Sequence, residues 1–305
     1  MTIRPSATTA MTAAMLFALG ACGSDPLSGE GSDDGPIVVS SANFTESEII
    51  GNLYAQTLED AGVEVETQFN VGSREAYIPA LADGSIDVIP EYTGNLLLFL
   101  DPEADVSSPE AIAEALPAAL EAEGLEGLEA ADAENKDAVV VTAETAEEWD
   151  LSQIGDLADH GDELTVAGPP EFAERAVGLP GLEETYGVTV ESFEPIADGG
   201  GPATVDALVN GDVQAANIFT TNPAIESEGL IVLDDPEGHF AAQNVVPVAR
   251  QDLLTDDAEA ALDAVSAELT TEDLIALNLR VSGEEKVEPA TAAAEWLEER
   301  GLVDP

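Results

Sequence analysis

The sequence predicts an α/β protein whose helices layer onto largely parallel sheets. Three observations carry this. Short apolar runs alternate with helix-period stretches along most of the chain. Breakers and cap residues sit where one period gives way to the other, as at Gly62, Ser108-Pro109 and Gly124. And 45% of the 305 residues are hydrophobic, enough to build a core in one large or two medium lobes. No repeat of solenoid period is visible.

Taken in order, Ile37–Ser41 reads as a strand. Thr45-Glu46-Ser47-Glu48 has the form of a capping box, so a helix is expected from Thr45. Its apolar stripe is Ile49, Ile50, Leu53, Tyr54 and Leu58, and Gly62 ends it. Val63, Val65, Thr67 and Phe69 alternate as in a half-buried strand. A helix follows over 74–82, a strand over 86–89, and a helix opened by Ser108-Pro109 and closed by Gly124. The second half repeats this grammar. Strands are expected at 138–142, 164–167, 188–193, 213–219 and 245–250, with helices at 171–176, 182–186 and 204–210 between them. After Arg250 the pattern turns helical to the end, with Thr270, Ser282 and Thr291 near helix starts. Trp149 and Trp296 lie on apolar helical faces and are expected in the core.

Charge is the most extreme property of the chain. There are 63 Asp and Glu against 8 Lys and Arg, a formal net charge of −55. Acidic disordered chains are poor in apolar residues, and this one is not. Nucleic acid is excluded as a partner, because phosphate binding needs basic clusters. An anionic membrane surface is excluded as an unassisted partner for the same reason. Self-repulsion among so many carboxylates destabilises the compact state at low salt and is screened at about 1 M salt, so a salt-adapted protein is expected. The cations are Arg4, Arg74, Lys136, Arg175, Arg250, Arg280, Lys286 and Arg300. Any anionic group of a ligand must draw on these or on neutral donors.

The N-terminus reads as an address. Arg4, an apolar run ending at Leu19-Gly20-Ala21-Cys22, and no acid before Asp25 describe an export signal over 1–22. The run is shorter than the roughly 18 apolar residues of a membrane span. Leu19-Gly20-Ala21-Cys22 is similar to a bacterial lipobox, in which Cys22 is the lipidation site. Residues 23–36, rich in Gly, Ser and Asp, then form a flexible tether. With one Cys in the chain no internal disulfide is possible.

Catalytic signatures are missing. The two histidines, His160 and His239, are far apart and near no Cys, so no metal site is expected. The sequence contains no Walker A, GxSxG, HExxH or GxGxxG pattern. Gly199-Gly200-Gly201-Pro202 is a weak phosphate-loop signal without a following Lys and reads as a connector. An exported, tethered α/β protein without catalytic machinery suggests ligand capture.

Several segments then converge. Ser40-Ser41-Ala42-Asn43-Phe44-Thr45-Glu46 follows the first strand, Gly72-Ser73 the second, and Gly84 to Gly94 contains Pro90-Glu91-Tyr92-Thr93-Gly94. Pro170-Glu171-Phe172 with Arg175, Phe219-Thr220-Thr221-Asn222 and Asn244-Val245-Val246-Pro247-Val248 follow in order. Together these resemble the glycine betaine/choline-type osmoprotectant substrate-binding lipoproteins of ABC transporters, over residues 37–305. The resemblance implies a two-lobed fold of the type II periplasmic-binding class with a hinge of two chain crossings. Lobe 1 would be 37–137 plus 245–305, and lobe 2 would be 138–244. It implies a small ligand held between the lobes, an ABC permease as partner, a monomer attached to the membrane only by its lipid anchor, no cofactor and no enzymatic activity.

Such proteins hold a quaternary ammonium against aromatic rings, whose faces carry negative potential. By resemblance, Tyr92 is a ring of that cage, and Phe219 stands where another cage tyrosine is common. Arg175 stands where the family places an arginine that contacts the ligand from the second lobe. Asn95 takes the place of a threonine near the ligand carboxylate, and Asn43, Asn217 and Gln243 are expected to line the pocket. There are departures too. Ala42 occupies a position where many relatives have a lysine, and Ala138 and Gln243 stand where others have cage tyrosines. The resemblance thus implies that the ligand is glycine betaine, choline or another small zwitterion or methylated amine such as carnitine, proline betaine or ergothioneine. A reading from a different class is a secreted hydrolase using paired carboxylates, which needs two inward-facing acids in one cleft.

Overall fold

Two five-stranded sheets organise the computed structural model, which describes residues 35–304. The lipobox with Cys22, the export signal and the tether as far as residue 34 lie outside the described residues. The chain begins with β1 (Ile37–Ser40), α1 (Thr45–Asp60), β2 (Val65–Gln68), α2 (Arg74–Asp83), β3 (Val88–Tyr92) and α3 (Thr93–Leu100). It continues with α4 (Pro109–Ala122) and β4 (Leu125–Gly127). Then it enters the second sheet with β5 (Val139–Val141), followed by α5 (Ala143–Glu148), β6 (Thr165–Gly168), α6 (Leu179–Tyr186), β7 (Ser192–Pro195), α7 (Pro202–Val209), β8 (Ala215–Asn217), α8 (Ala224–Ser227) and β9 (Ile231–Val232). It returns to the first sheet as β10 (Val245–Arg250) and ends in α9 (Asp256–Glu268), α10 (Thr271–Ser282) and α11 (Pro289–Arg300).

The strand orders are β2-β1-β3-β10-β4 and β7-β6-β8-β5-β9. The expectation of largely parallel sheets is corrected: both are mixed. β1 runs parallel to β2 and β3, and β6 runs parallel to β7 and β8. The strand that enters each sheet after a crossing, β10 in one and β5 in the other, is antiparallel to both its neighbours. A chain arriving from the other sheet enters from the shared end and runs against the strands already there. The two crossing segments also touch each other, through an antiparallel bridge between Glu134 and Asn244 and an Asn135 N–H to Gln243 O bond of 3.1 Å.

Each sheet is covered on both faces, which is why its central strands are nearly continuous apolar runs. In the first, α1, α9, α10 and α11 cover one face and α2, α3 and α4 the other. In the second, β5 and β6 pack against Leu151, Ile154, Leu157 and Leu182 on one face and against Val205 and Leu208 of α7 on the other.

Several boundaries move. Thr45 is the first helical residue and not the cap: Phe44 holds the N-cap position, and no side chain caps it. The proposed box fails because its members have other work, Ser47 Oγ taking the Ala42 N–H at 2.9 Å and Glu48 the Asn70 amide at 2.9 Å. Ser108 and Thr270 do cap, the latter in a reciprocal box with Asp273. Thr291 lies in the first turn of α11, near its start as expected, whereas Ser282 ends α10. Trp296 is buried, whereas Trp149 is half-buried and stacks on His160 at 4.2 Å. The apolar run after Tyr92 is α3, a helix that was not expected between the strand at 86–89 and the helix opened by Ser108.

Candidate functional site

A cavity of about 90 Å³ lies between the two sheets, walled by the loops that follow β1, β3, β6 and β8. The carboxyl ends of strands are where open α/β sheets gather ligands. Six of the seven residues expected from the sequence surround it: Asn43, Tyr92, Asn95, Arg175, Asn217 and Phe219. Gln243 is the exception. It lies behind the wall, 1% exposed, with Oε1 accepting the Asn95 N–H at 3.0 Å. That contact fixes the first turn of α3, where Gly94 is needed because a Cβ there would meet Ala242 O at 2.4 Å.

Three rings form a chain across the cleft. Phe44 lies 6.0 Å from Tyr92 and 5.4 Å from Phe219, centroid to centroid, the latter pair edge to face. Phe44 follows β1 and Phe219 follows β8, so this contact joins the two halves. Gly199 makes room for it: with φ of 62°, any Cβ there would sit 2.7 Å from that of Phe44. Phe44 was not among the expected site residues, although it stands inside the quoted Asn43-Phe44-Thr45-Glu46 segment.

Glu46 organises the back of this aromatic wall. It is buried, and its carboxylate accepts from Tyr92 Oη at 2.7 Å, Asn135 Nδ2 at 2.7 Å, Thr221 Oγ1 at 2.5 Å and Asn278 Nδ2 at 2.6 Å. Four donors satisfy a charge that has no cation paired with it among the described residues, as burial of a carboxylate requires. The donors come from β3, from the first crossing, from the loop after β8 and from α10. Burial together with the Glu46 charge pushes the Tyr92 phenol well above its ordinary pKa, so it stays a neutral donor.

The two arginines at the cavity differ. Arg74, at the start of α2, is buried and donates to both oxygens of the fully buried Glu91, through Nε at 2.9 Å and a terminal nitrogen at 2.7 Å. Tyr77 Oη adds a bond to Glu91 at 2.7 Å, and the Tyr92 N–H adds another at 2.9 Å. Burial alone would lower the Arg74 pKa, but the Glu91 charge outweighs it and raises the pKa above its ordinary value, so the guanidinium stays protonated. Arg175, in the segment after β6, is only partly buried. It was expected to meet a ligand anion; here it reaches across the cleft to Glu75 of α2, at 2.9 and 3.1 Å. Glu171 Oε1 is 3.9 Å away. Partial burial would raise the Glu75 pKa, but hydrogen bonds from Arg175 and Ser73 win and lower it to about 2.

Asp137, in the first crossing, also lines the cavity. Its Oδ2 takes the Asn95 amide at 2.6 Å and its Oδ1 takes the Asn217 amide at 3.0 Å, one from each half of the molecule. Sequence reasoning missed Asp137 because one acid among 63 carries no signal. Arg74 was recognised as a scarce cation, but its pairing with Glu91 depends on α2 lying beside β3. The triglycine connector holds no phosphate site: Asp198 occupies the start of α7, accepting the Ala203 N–H at 2.8 Å and Thr204 Oγ1 at 2.6 Å. Among the described residues no group of His, Cys, Asp or Glu is placed to hold a metal, and no helix is long and apolar enough to cross a membrane.

With this geometry in hand, comparison with known proteins is informative. Residues 35–299 match the family described as the substrate binding domain of ABC-type glycine betaine transport systems. The glycine betaine-binding protein YehZ of Escherichia coli is 29% identical over 278 residues, covering 87% of this chain and 91% of YehZ. The ergothioneine transport permease/ergothioneine binding protein EgtU of Helicobacter pylori is 24% identical over 279 residues, 88% of this chain but 48% of EgtU. A crystal structure of a glycine betaine/carnitine/choline ABC transporter component aligns with a TM-score of 0.69 at 23% identity, over 88% of this chain and 100% of that one; at this identity it speaks for the two-lobed fold alone. The chain therefore belongs to the family of substrate-binding domains of ABC-type glycine betaine transport systems.

Proposed function

We propose that this protein captures a small osmolyte-like amine outside the cytoplasm and delivers it to an ABC permease. The observation that carries this is the cavity between the sheets, walled by Phe44, Tyr92 and Phe219 and bordered by acids. Aromatic faces and nearby carboxylates attract a quaternary ammonium, which offers no ordinary hydrogen bond. YehZ is named for glycine betaine and EgtU for ergothioneine, and both ligands carry a trimethylammonium group.

In this reading lobe 1 is 37–137 plus 245–305 and lobe 2 is 138–244, closing about the two crossings. Residues 1–22 direct export, Cys22 carries the lipid, 23–36 tether the protein, and it works as a monomer. Binding is its whole activity. The alternative of a carboxylate-dependent hydrolase fares poorly, because both oxygens of Asp137 are held by amides from opposite sides of the cleft.

Calorimetry with glycine betaine, choline, carnitine, proline betaine and ergothioneine at high salt tests the ligand. Saturable one-to-one binding of at least one of them is expected; no heat from any would end the assignment. Cys22→Ala tests the anchor: the protein should be released from the membrane fraction, and continued attachment would refute lipidation there.

A further inference from the structure

The charge around the cavity is unbalanced. Two arginines line it, and each already faces a carboxylate of this chain: Arg74 is committed at two points to Glu91, and Arg175 at two points to Glu75. Asp137 and Glu171 line it as well, and Glu46 sits just behind Tyr92. Glu171 shares Arg175 only at 3.9 Å. Arg74 also feels Asp137, but more weakly than it feels Glu91. Ala42, on the wall near Asn43, contributes no charge. A ligand carboxylate would have to share an arginine that is already paired, in a field dominated by acids.

An independent observation points the same way. Asn217 is 1% exposed and lines the cavity. Its Nδ2 faces two acceptors, Asp137 Oδ1 at 3.0 Å and Ala138 O at 3.5 Å, so the amide cannot be turned round. Its Oδ1 is buried without a partner in the protein. A buried acceptor left open beside a carboxylate calls for a donor or a positive group.

We propose that Asp137, held between Asn95 and Asn217, is the specificity determinant of this pocket and selects small organic cations that lack a carboxylate over zwitterions. This rests on the binding role proposed above and narrows it. Asp137 would face the cationic head, and Asn217 Oδ1 would take a hydroxyl or N–H of the ligand. Because Asn95 and Asn217 come from opposite sides of the cleft, Asp137 is fixed in place only when the two sides meet, so charge recognition and closure coincide.

The test is calorimetry with choline, glycine betaine and the neutral choline isostere 3,3-dimethylbutan-1-ol, at about 1 M NaCl so that distant surface acids are screened. The wild type should bind choline at least about tenfold tighter than glycine betaine, and the isostere more weakly than choline, the scale of one charge-assisted contact. Asp137→Asn should weaken choline about tenfold while leaving glycine betaine within about threefold, and Asp137→Glu should retain the choline preference. Glycine betaine binding as tightly as choline to the wild type would overturn the proposal while leaving the transport role standing. So would equal losses for both ligands in Asp137→Asn. If that variant does not fold, the wild-type ranking of the three ligands decides alone. Failure of every quaternary amine to bind would overturn the transport reading and this proposal together.

Discussion

The two walls of the cleft are built on different principles. The wall on the first sheet is a locked polar core. Arg74, Glu91, Tyr77 and the Tyr92 backbone bond one another out of water, and Glu46 holds the Tyr92 ring from behind. The wall on the second sheet is lighter. Its arginine, Arg175, is a quarter exposed and reaches outward to a half-exposed Glu75 on the other side. One arginine is locked inside its own wall, and the other bridges to the facing wall. A buried pair cannot be parted without stranding a charge, whereas an exposed pair exchanges its partner for water at little cost. The clamp proposed above would use both: a fixed surface against which the ligand is read, and contacts that let go.

Mutations can break or sharpen this contrast, beginning with the strongest. Glu91→Ala strands Arg74 in the first wall and should cost about 3–5 kcal/mol of stability in chemical denaturation; a loss under about 1 kcal/mol would erase the distinction between the walls. Glu46→Gln turns an acceptor into a donor that faces donors, and should cost about 2–3 kcal/mol of stability and weaken ligand binding as well. Unchanged affinity in a folded Glu46→Gln protein would separate Tyr92 from its support.

Tyr92→Ala should cost about 1–2 kcal/mol of binding energy for a quaternary amine, and Tyr92→Phe should recover most of it, because in the proposed cage the ring rather than the hydroxyl meets the cation. Equal losses in the two variants would assign the effect to the Glu46 bond instead. Glu75→Gln, in the second pair, should change affinity by no more than about 1 kcal/mol at neutral pH. Its signature is in pH. The Glu75 pKa is lowered to about 2 in the folded protein. The pair is therefore intact above the ordinary carboxylate pKa of about 4.3 and is lost as pH falls toward 2. The difference in unfolding free energy between wild type and Glu75→Gln should be constant above that range and vanish below it; a difference that grows on acidification would have the wrong sign.

The opening layers of this molecule were legible in its sequence because they rest on local rules. The caps at Ser108 and Thr270, the Gly62 and Gly124 breaks and the buried strands at 139–141 and 165–168 follow from short-range pattern. Where local signals conflicted with long-range partners, the partners won. The Thr45 box dissolved because Ser47 and Glu48 were recruited by Ala42 and Asn70. The strand before Tyr92 runs to Tyr92 itself, because β10 pairs with it to the last residue.

The site divides in the same way. Asn43, Tyr92, Asn95, Arg175 and Phe219 were placed by resemblance and Asn217 as a polar contact, and the fold does bring them to one cavity. What each can do there depended on neighbours far away in sequence. Arg175 meets Glu75 across 100 residues, Glu46 meets Asn278 across 232, and Asp137 is held by residues 42 and 80 positions away. By itself the sequence determined the α/β alternation, the family and the scarcity of cations, all of which are properties of composition and short segments. That the cavity's scarce arginines are already paired, and that Asp137 shares the cavity with them, emerged from the folded chain alone, because charge pairing depends on distances that chain order does not contain.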